Sequence, residues 1–106
     1  MGAHARGIVS IQITKVQVAR SLTVQVIDLN GSPMEGVEVE EMTPEWKETL
    51  RTTRTNASGV FTFTPVKGRR IYYIKLMIDG FNPMLFRLKV NRVFGKTIKM
   101  QMEVAT

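Results

Sequence analysis

Apolar and polar residues alternate along most of this 106-residue chain. The segment 22–26 (LTVQV) places Leu or Val at every second position, and 60–64 (VFTFT) and 86–90 (FRLKV) repeat the pattern. Successive side chains of a β-strand point to opposite faces, so this alternation indicates strands with one buried face. We therefore predict an all-β domain. Its expected aromatic core residues are Phe61, Phe63 and Phe86.

Turn sequences separate these segments. The segments 28–33 (DLNGSP), 56–59 (NASG) and 79–83 (DGFNP) combine residues that favour tight turns, and 66–70 and 91–95 contain further glycine-bearing turns. The intervals leave room for about seven or eight short strands, a number typical of a β-sandwich or barrel. We predict a single antiparallel or mixed β-sandwich over 8–106, preceded at 1–7 by a disordered tail or a cloning remnant.

Two segments depart from simple alternation. Residues 71–78 form a nearly continuous apolar run, which predicts a central strand covered on both faces. Residues 43–47 (TPEWK) carry the helix-start signal of the chain, with Thr43 as a cap and Pro44 at the first helical position. We expect a turn or a single helical turn there.

The residues needed for common enzyme chemistry are scarce. The chain has no cysteine and one histidine, His4. Thiol nucleophiles and cysteine-ligated zinc are therefore excluded, and a catalytic triad or a histidine zinc site would need further ligands or a fixed histidine. No phosphate-binding glycine motif occurs. We expect a non-catalytic protein with no cofactor and no metal site.

Charge is unevenly distributed along the chain, whose net charge is +6. Residues 35–48 contain six Glu and one Lys, whereas 67–99 contain nine Lys or Arg and a single acid, Asp79. A basic surface attracts nucleic acid, anionic lipid or acidic polysaccharide, although it can also be a solvated sheet face. We expect a solvated acidic edge made of Glu35, Glu38, Glu40 and Glu41.

The order of turns and strands resembles the carboxypeptidase regulatory-like domains. In that family a strand is followed by a D-x-x-G-x-P turn and a G-V-x-V strand, which correspond here to 24–26, 28–33 and 36–39. A T-D-x-x-G-x-F block corresponds to 55–61, with Asn56 in place of Asp. A Tyr-bearing strand that ends at G-[YF] corresponds to 73–81. The resemblance covers about residues 20–104.

This resemblance implies a transthyretin-like, Greek-key β-sandwich that serves as an accessory module. It also implies an extracellular or cell-envelope location. Asp28 and Asn56 are expected to form Asx-turns, and Gly31, Gly36 and Gly59 to supply backbone geometry.

The main functional hypothesis is a structural or protein-interaction module. One alternative is carbohydrate binding through loop aromatics, and another is weak binding of nucleic acid or another polyanion. The partner is expected to be a protein; a carbohydrate is the alternative, nucleic acid is not favoured, and no apolar run is long enough to span a membrane. The candidate contact residues are Trp46, Phe81 and Phe94 in loops and Arg87, Lys89 and Lys99 on strands.

Overall fold

The computed structural model describes residues 12–13 and 15–105, and this part of the chain is all-β without any helix. The prediction of an all-β domain is thus confirmed. The predicted tail at 1–7 lies outside the described residues. Eight strands follow one another along the chain: β1 (Gln12–Ile13), β2 (Gln17–Ile27), β3 (Glu38–Met42), β4 (Thr49–Arg54), β5 (Val60–Thr62), β6 (Ile71–Met77), β7 (Met84–Val90) and β8 (Lys96–Gln101).

The strands form a mixed sheet in the order β4-β3-β6-β7-β2-β5, with β1 added to β7 and β8 added to β2. The pairs β1–β7, β2–β7 and β2–β8 are parallel, and the other four are antiparallel. Strands β4 and β5, at the two ends of this order, lie next to each other in space. The sheet is therefore nearly barrel-shaped, and the sandwich and Greek-key arrangement stay predictions.

Strand β2 takes part in two groups of strands. Its first residues, Gln17 to Ala19, pair with β7, and Ala19 also pairs with Lys96 of β8; after a register break between Ala19 and Val24, β2 pairs with β5 and β8. Strand β8 leads back towards the level where β7 begins, because Val104 after β8 forms a bridge with Phe81 before β7. Since both strands are parallel to β2, β2 must change direction sharply at the register break.

These directions give the domain two ends. Strands β3 and β7 are antiparallel to β6, so the loops that follow them, 43–48 and 91–95, lie at the end of the domain where β6 begins. The segment 63–70 and the bend of β2 lie at the same end. We call this the upper end. The lower end carries the loops 28–37, 55–59, 78–83 and 102–105.

The core is formed by the inner faces of the strands. Phe61, Phe63 and Phe86 are buried in it, which confirms their prediction. Strand β6 is central in the sheet, and its inner face, which includes Tyr72, is buried; on its outer face Ile71 is 40% exposed and the other residues are only partly buried. The prediction of cover on both faces is therefore wrong, because only the inner face of β6 packs against the hydrophobic cluster.

The lower end is built from the expected turns. Asp28 and Asn56 each accept, through Oδ1, hydrogen bonds from the backbone N–H groups two and four residues later. Gly59 has φ of 73°, and a Cβ at that position would lie 2.6 Å from the carbonyl oxygen of Val26. The Asx-turns and the need for glycine at position 59 are thus confirmed.

The segment 43–48 is a turn, one of the two outcomes expected for TPEWK. Thr43 Oγ1 accepts hydrogen bonds from the N–H groups of Lys47 and Glu48, at 3.3 and 3.2 Å. Trp46 has φ of 61°, a left-handed conformation that is unfavourable for a bulky residue. The turn therefore holds the Trp46 backbone in a strained position.

Candidate anion-binding groove

A groove of about 730 Å³ lies at the upper end, between the bend of β2, the loop 65–70 and the start of the turn 91–95. Its lining contains five cationic side chains and, among the described residues, no carboxylate. The long side chains of Lys and Arg can reach into such a groove while their stems lie on apolar surface. The cations are Arg20, Lys67, Arg69, Arg70 and Arg92.

Local hydrogen bonds fix the loops that carry these cations. The buried Tyr72 hydroxyl accepts from the Val66 N–H at 2.9 Å and donates to the Arg69 carbonyl at 3.1 Å, which ties the loop 65–70 to β6. Asn91 Oδ1 accepts from the N–H groups of Val93 and Phe94, at 2.9 and 2.8 Å. The groove therefore has a defined backbone frame on two sides.

Glu41 lies behind this groove and is only 1% exposed. Its Oε1 pairs with Arg51 Nε at 2.7 Å, and its Oε2 pairs with Arg69 Nη1 at 2.6 Å. The predicted solvated acidic edge is therefore wrong for Glu41. The physical reason is its strand phase, since Glu41 shares the inward face of β3 with Val39.

The other acids of the predicted edge are more open. Glu35 is exposed, and Glu38 and Glu40 are partly buried. Glu38 forms a longer ion pair with Arg54 at 3.6 Å, and Glu40 accepts a hydrogen bond from the Thr49 hydroxyl at 3.2 Å. Only Glu41 is removed from solvent, so it alone needs cationic partners for its burial.

Ring contacts extend the Glu41 network. The Arg51 guanidinium lies over the Phe63 ring, with 4.6 Å from Cζ to the ring centroid, and the Arg69 guanidinium lies 5.6 Å from the centroid of Tyr72. Arg51 Nη2 is buried and has no hydrogen-bond partner among the described residues. The network thus places two guanidinium groups between the core and the upper end.

The charge of the groove is largely uncompensated. Arg69 pairs with Glu41. The other four cations of the groove, Arg20, Lys67, Arg70 and Arg92, form no ion pair with a carboxylate of the described chain. Guanidinium and ammonium groups donate hydrogen bonds and accept none. The arrangement therefore suits an anionic ligand that supplies acceptor oxygens.

The candidate aromatic residues do not form a single platform. Trp46 is partly buried at the upper end, where its ring meets Tyr73 edge to face with 5.3 Å between centroids. Phe94 lies at the same end and is 79% exposed. Phe81 lies at the lower end, partly buried, and packs against the core.

The candidate basic residues also lie apart from the groove. Arg87 and Lys89 are exposed on β7, and Lys99 is exposed on β8. The sequence did reveal the basic run 67–99, from which four of the groove cations come. It did not reveal Arg20, whose position beside that run depends on the pairing of β2 with β7.

A second groove, of about 560 Å³, lies at the lower end and has the opposite character. Its charged lining residues are Glu38, Asp79 and Arg54, and Phe81 lines it as well. Within the described residues, no group of three His, Cys, Asp or Glu side chains is arranged to hold a metal ion. In the same part of the chain, no helix has the length and apolar character needed to cross a membrane.

Comparison of the chain with models of protein families and with the sequences of curated proteins gives no match.

Proposed function

We propose that this protein is a non-catalytic accessory β-domain that binds an anionic partner through the groove at the upper end. We also propose that its mixed sheet is a transthyretin-like, Greek-key sandwich of the carboxypeptidase regulatory-like kind. The turn at 28–33, with the Asx-turn of Asp28, and the glycine requirement at Gly59 support this second proposal. An extracellular or cell-envelope location follows from the same resemblance.

One observation carries the binding proposal: five cations line one groove, and no carboxylate of the described chain lines it with them. At physiological ionic strength charges act over about 8 Å, so cations sharing one groove act together on a ligand. Among the groove cations, Glu41 pairs with Arg69, and Glu41 itself does not line the groove. An anion that enters the groove would therefore meet a net positive field.

The charged groups of the groove favour binding over catalysis. The guanidinium groups of Arg20, Arg70 and Arg92 offer hydrogen-bond donors and no acceptor, which suits the binding of acidic groups. Planar guanidinium groups form paired hydrogen bonds with phosphate, sulfate and carboxylate groups. The expected chemistry is therefore recognition of acidic groups.

Heparin, a soluble sulfated polyanion, tests this proposal. We expect the double variant Arg70→Ala with Arg92→Ala to lower heparin affinity about tenfold, which corresponds to ~1.4 kcal/mol. The matched control is Arg87→Ala with Lys89→Ala, which removes the same number of charges from the exposed face of β7. We expect this control to change affinity less than about threefold, because these residues do not line the groove.

The experiment is titration calorimetry or affinity chromatography at two salt concentrations. Affinity should fall steeply with salt, since binding releases counterions from the polyanion. Equal losses in the two double variants would show that only net charge matters, and the groove would then have no special role. Tight binding that persists at high salt would instead point to specific nucleic-acid or polysaccharide recognition, which duplex DNA and a glycan array would separate.

A further inference from the structure

Large exposed apolar side chains lie directly beside the basic groove. Val93 is 78% exposed and Phe94 is 79% exposed, and both follow Arg92 in the turn that joins β7 to β8. Val66, which lines the groove, is 37% exposed. Single exposed apolar residues are common on soluble proteins, but two adjacent ones at a turn tip beside clustered cations form a distinct combination.

The turn 91–95 holds these two side chains outward. Asn91 Oδ1 accepts the N–H groups of Val93 and Phe94, and the Gly95 N–H donates to the Asn91 carbonyl at 2.8 Å. Gly95 is buried, and a Cβ there would clash with the backbones of Asn91 and Ala19. The backbone around the tip is thus fixed on both sides, so Val93 and Phe94 stay exposed unless a partner covers them.

We propose that the upper end docks on the surface of a bilayer that contains anionic phospholipid. Val93 and Phe94 enter the boundary between headgroups and acyl chains, while Arg20, Lys67, Arg70 and Arg92 contact lipid phosphates and carboxylates. This inference rests on the proposed function, because it uses the same cations and names their partner. A bilayer surface offers an anionic layer and an apolar layer next to each other, which matches the neighbouring cations and apolar tip.

This combination distinguishes a bilayer from other acidic partners. A sulfated polysaccharide or a phosphate backbone supplies charge but leaves Val93 and Phe94 in water. Each Lys or Arg near an anionic surface strengthens binding roughly fivefold, and burial of apolar side chains adds to this. The structure therefore predicts that both the cations and the two apolar side chains contribute to membrane affinity.

Vesicle co-sedimentation of the full chain tests the proposal. The vesicles contain either phosphatidylcholine alone or phosphatidylcholine with about 30% phosphatidylserine, at about 0.1 M salt. We expect clear binding to the anionic vesicles and at least tenfold weaker binding to the neutral ones. Val93→Ser combined with Phe94→Ser should weaken binding to anionic vesicles about tenfold or more, because it removes the inserting side chains.

The lower end provides a matched control. Leu29 and Val104 are 56% and 50% exposed, and both lie at the lower end. Leu29→Ser combined with Val104→Ser removes a comparable apolar surface and should leave vesicle binding within about twofold of the unaltered chain. Circular dichroism and melting temperature confirm that both double variants are folded.

Heparin separates the two proposals. Val93→Ser with Phe94→Ser should leave heparin affinity unchanged, whereas Arg70→Ala with Arg92→Ala should weaken binding to both heparin and anionic vesicles. Heparin binding without vesicle binding would overturn the bilayer inference and leave the proposed function standing. Failure to bind either would overturn both. The inference would also be overturned if the double variant Val93→Ser with Phe94→Ser bound anionic vesicles as well as the unaltered chain does.

Fluorescence gives an independent measurement. The double variant Trp46→Phe with Phe94→Trp moves the single tryptophan of the chain to the turn tip. We expect its emission to shift to shorter wavelength on anionic vesicles and to be quenched by lipids brominated near the headgroup. An emission spectrum that is unchanged on bound vesicles would place position 94 in water and contradict the proposal.

Discussion

The two ends of the domain use similar turns but present very different surfaces. Asn56 at the lower end and Asn91 at the upper end each accept two backbone N–H groups through Oδ1. The lower groove is lined by two acids and one cation, whereas the upper groove is lined by five cations. The turns therefore determine where the chain reverses, and the residues between them determine what each end attracts.

The lower end also has a polar group whose hydrogen bonds are satisfied in the interior. Thr55 Oγ1 accepts from the Val37 N–H at 2.9 Å and donates to the Met34 carbonyl at 2.6 Å, within the buried interior. Phe81 and Val104 close the same end with a strand bridge. Four groove cations at the upper end have no such intramolecular partners among the described carboxylates. We infer that the lower end serves mainly stability and the upper end mainly binding.

The largest effect should come from glycine at the lower end. Gly59→Ala would place a Cβ 2.6 Å from the Val26 carbonyl oxygen in a left-handed conformation, so we expect a loss of more than about 3 kcal/mol in unfolding free energy. Gly68 at the upper end has φ of 82° and open space around it. Gly68→Ala should cost only about 1–2 kcal/mol. Urea denaturation measures both, and equal losses would contradict the close packing at Gly59.

A second comparison concerns ion pairs. Glu41→Ala leaves Arg51 and Arg69 without their carboxylate, and we expect the free energy of unfolding to fall by about 2 kcal/mol. This value is smaller than is usual for a buried ion pair because both arginines are partly exposed. The exposed Glu38–Arg54 pair at the lower end is 3.6 Å long. Glu38→Ala should cost less than about 0.5 kcal/mol. Chemical denaturation measures the free energy of unfolding of both variants. Equal losses in the two variants would show that the Glu41 network does not stabilise the fold.

The third prediction uses Trp46. At the lower end, every described residue with a positive φ is a glycine. At the upper end, Trp46 has a positive φ of 61°. Trp46→Asn and Trp46→Ala both lose the ring contact with Tyr73, but Asn tolerates a left-handed backbone better. We expect the Asn variant to be more stable than the Ala variant by about 1 kcal/mol. Identical melting curves would mean that the Trp46 backbone carries no strain.

A fourth prediction compares the two turn asparagines. Asn91→Ala and Asn56→Ala each remove an acceptor for two backbone N–H groups, so each should cost about 1 kcal/mol. Only Asn91→Ala should also weaken binding to anionic vesicles, because it loosens the tip that carries Val93 and Phe94. Vesicle binding lost equally in both variants would remove the functional distinction between the ends.

The strands and turns could be predicted from sequence because alternation and turn chemistry are local. Phe63 was placed in the core by its two-residue phase with Phe61, and Asp28 was assigned to an Asx-turn by its neighbours. The upper groove could not be predicted in the same way. Arg20 lines the same groove as Arg92 because β2 pairs with β7 and then bends, and no local sequence pattern indicates that residues so far apart share a groove.

Glu41 shows a second kind of failure. Glu41 lies two residues after Val39, which indicates the same inner face of the strand, whereas its charge favours exposure to solvent. These two indications conflict, and the residues near Glu41 in the sequence do not resolve the conflict. The outcome depended on Arg51 from β4 and Arg69 from the segment before β6, which bring two cations to one carboxylate. Burial of a charge is thus decided by residues that are distant in the sequence.

The shared strand β2 also has a consequence for the way in which the domain unfolds. This 11-residue strand pairs with β7 at its start, with β5 after the register break, and with β8 on both sides of the break. When β2 detaches, β5 and β8 lose their strand partner, whereas β7 stays paired with β6 but loses β2 from its other edge. Amide protons of β2 should therefore exchange with solvent only through global opening, at the slowest rates in the chain, and the two groups should melt as one cooperative unit.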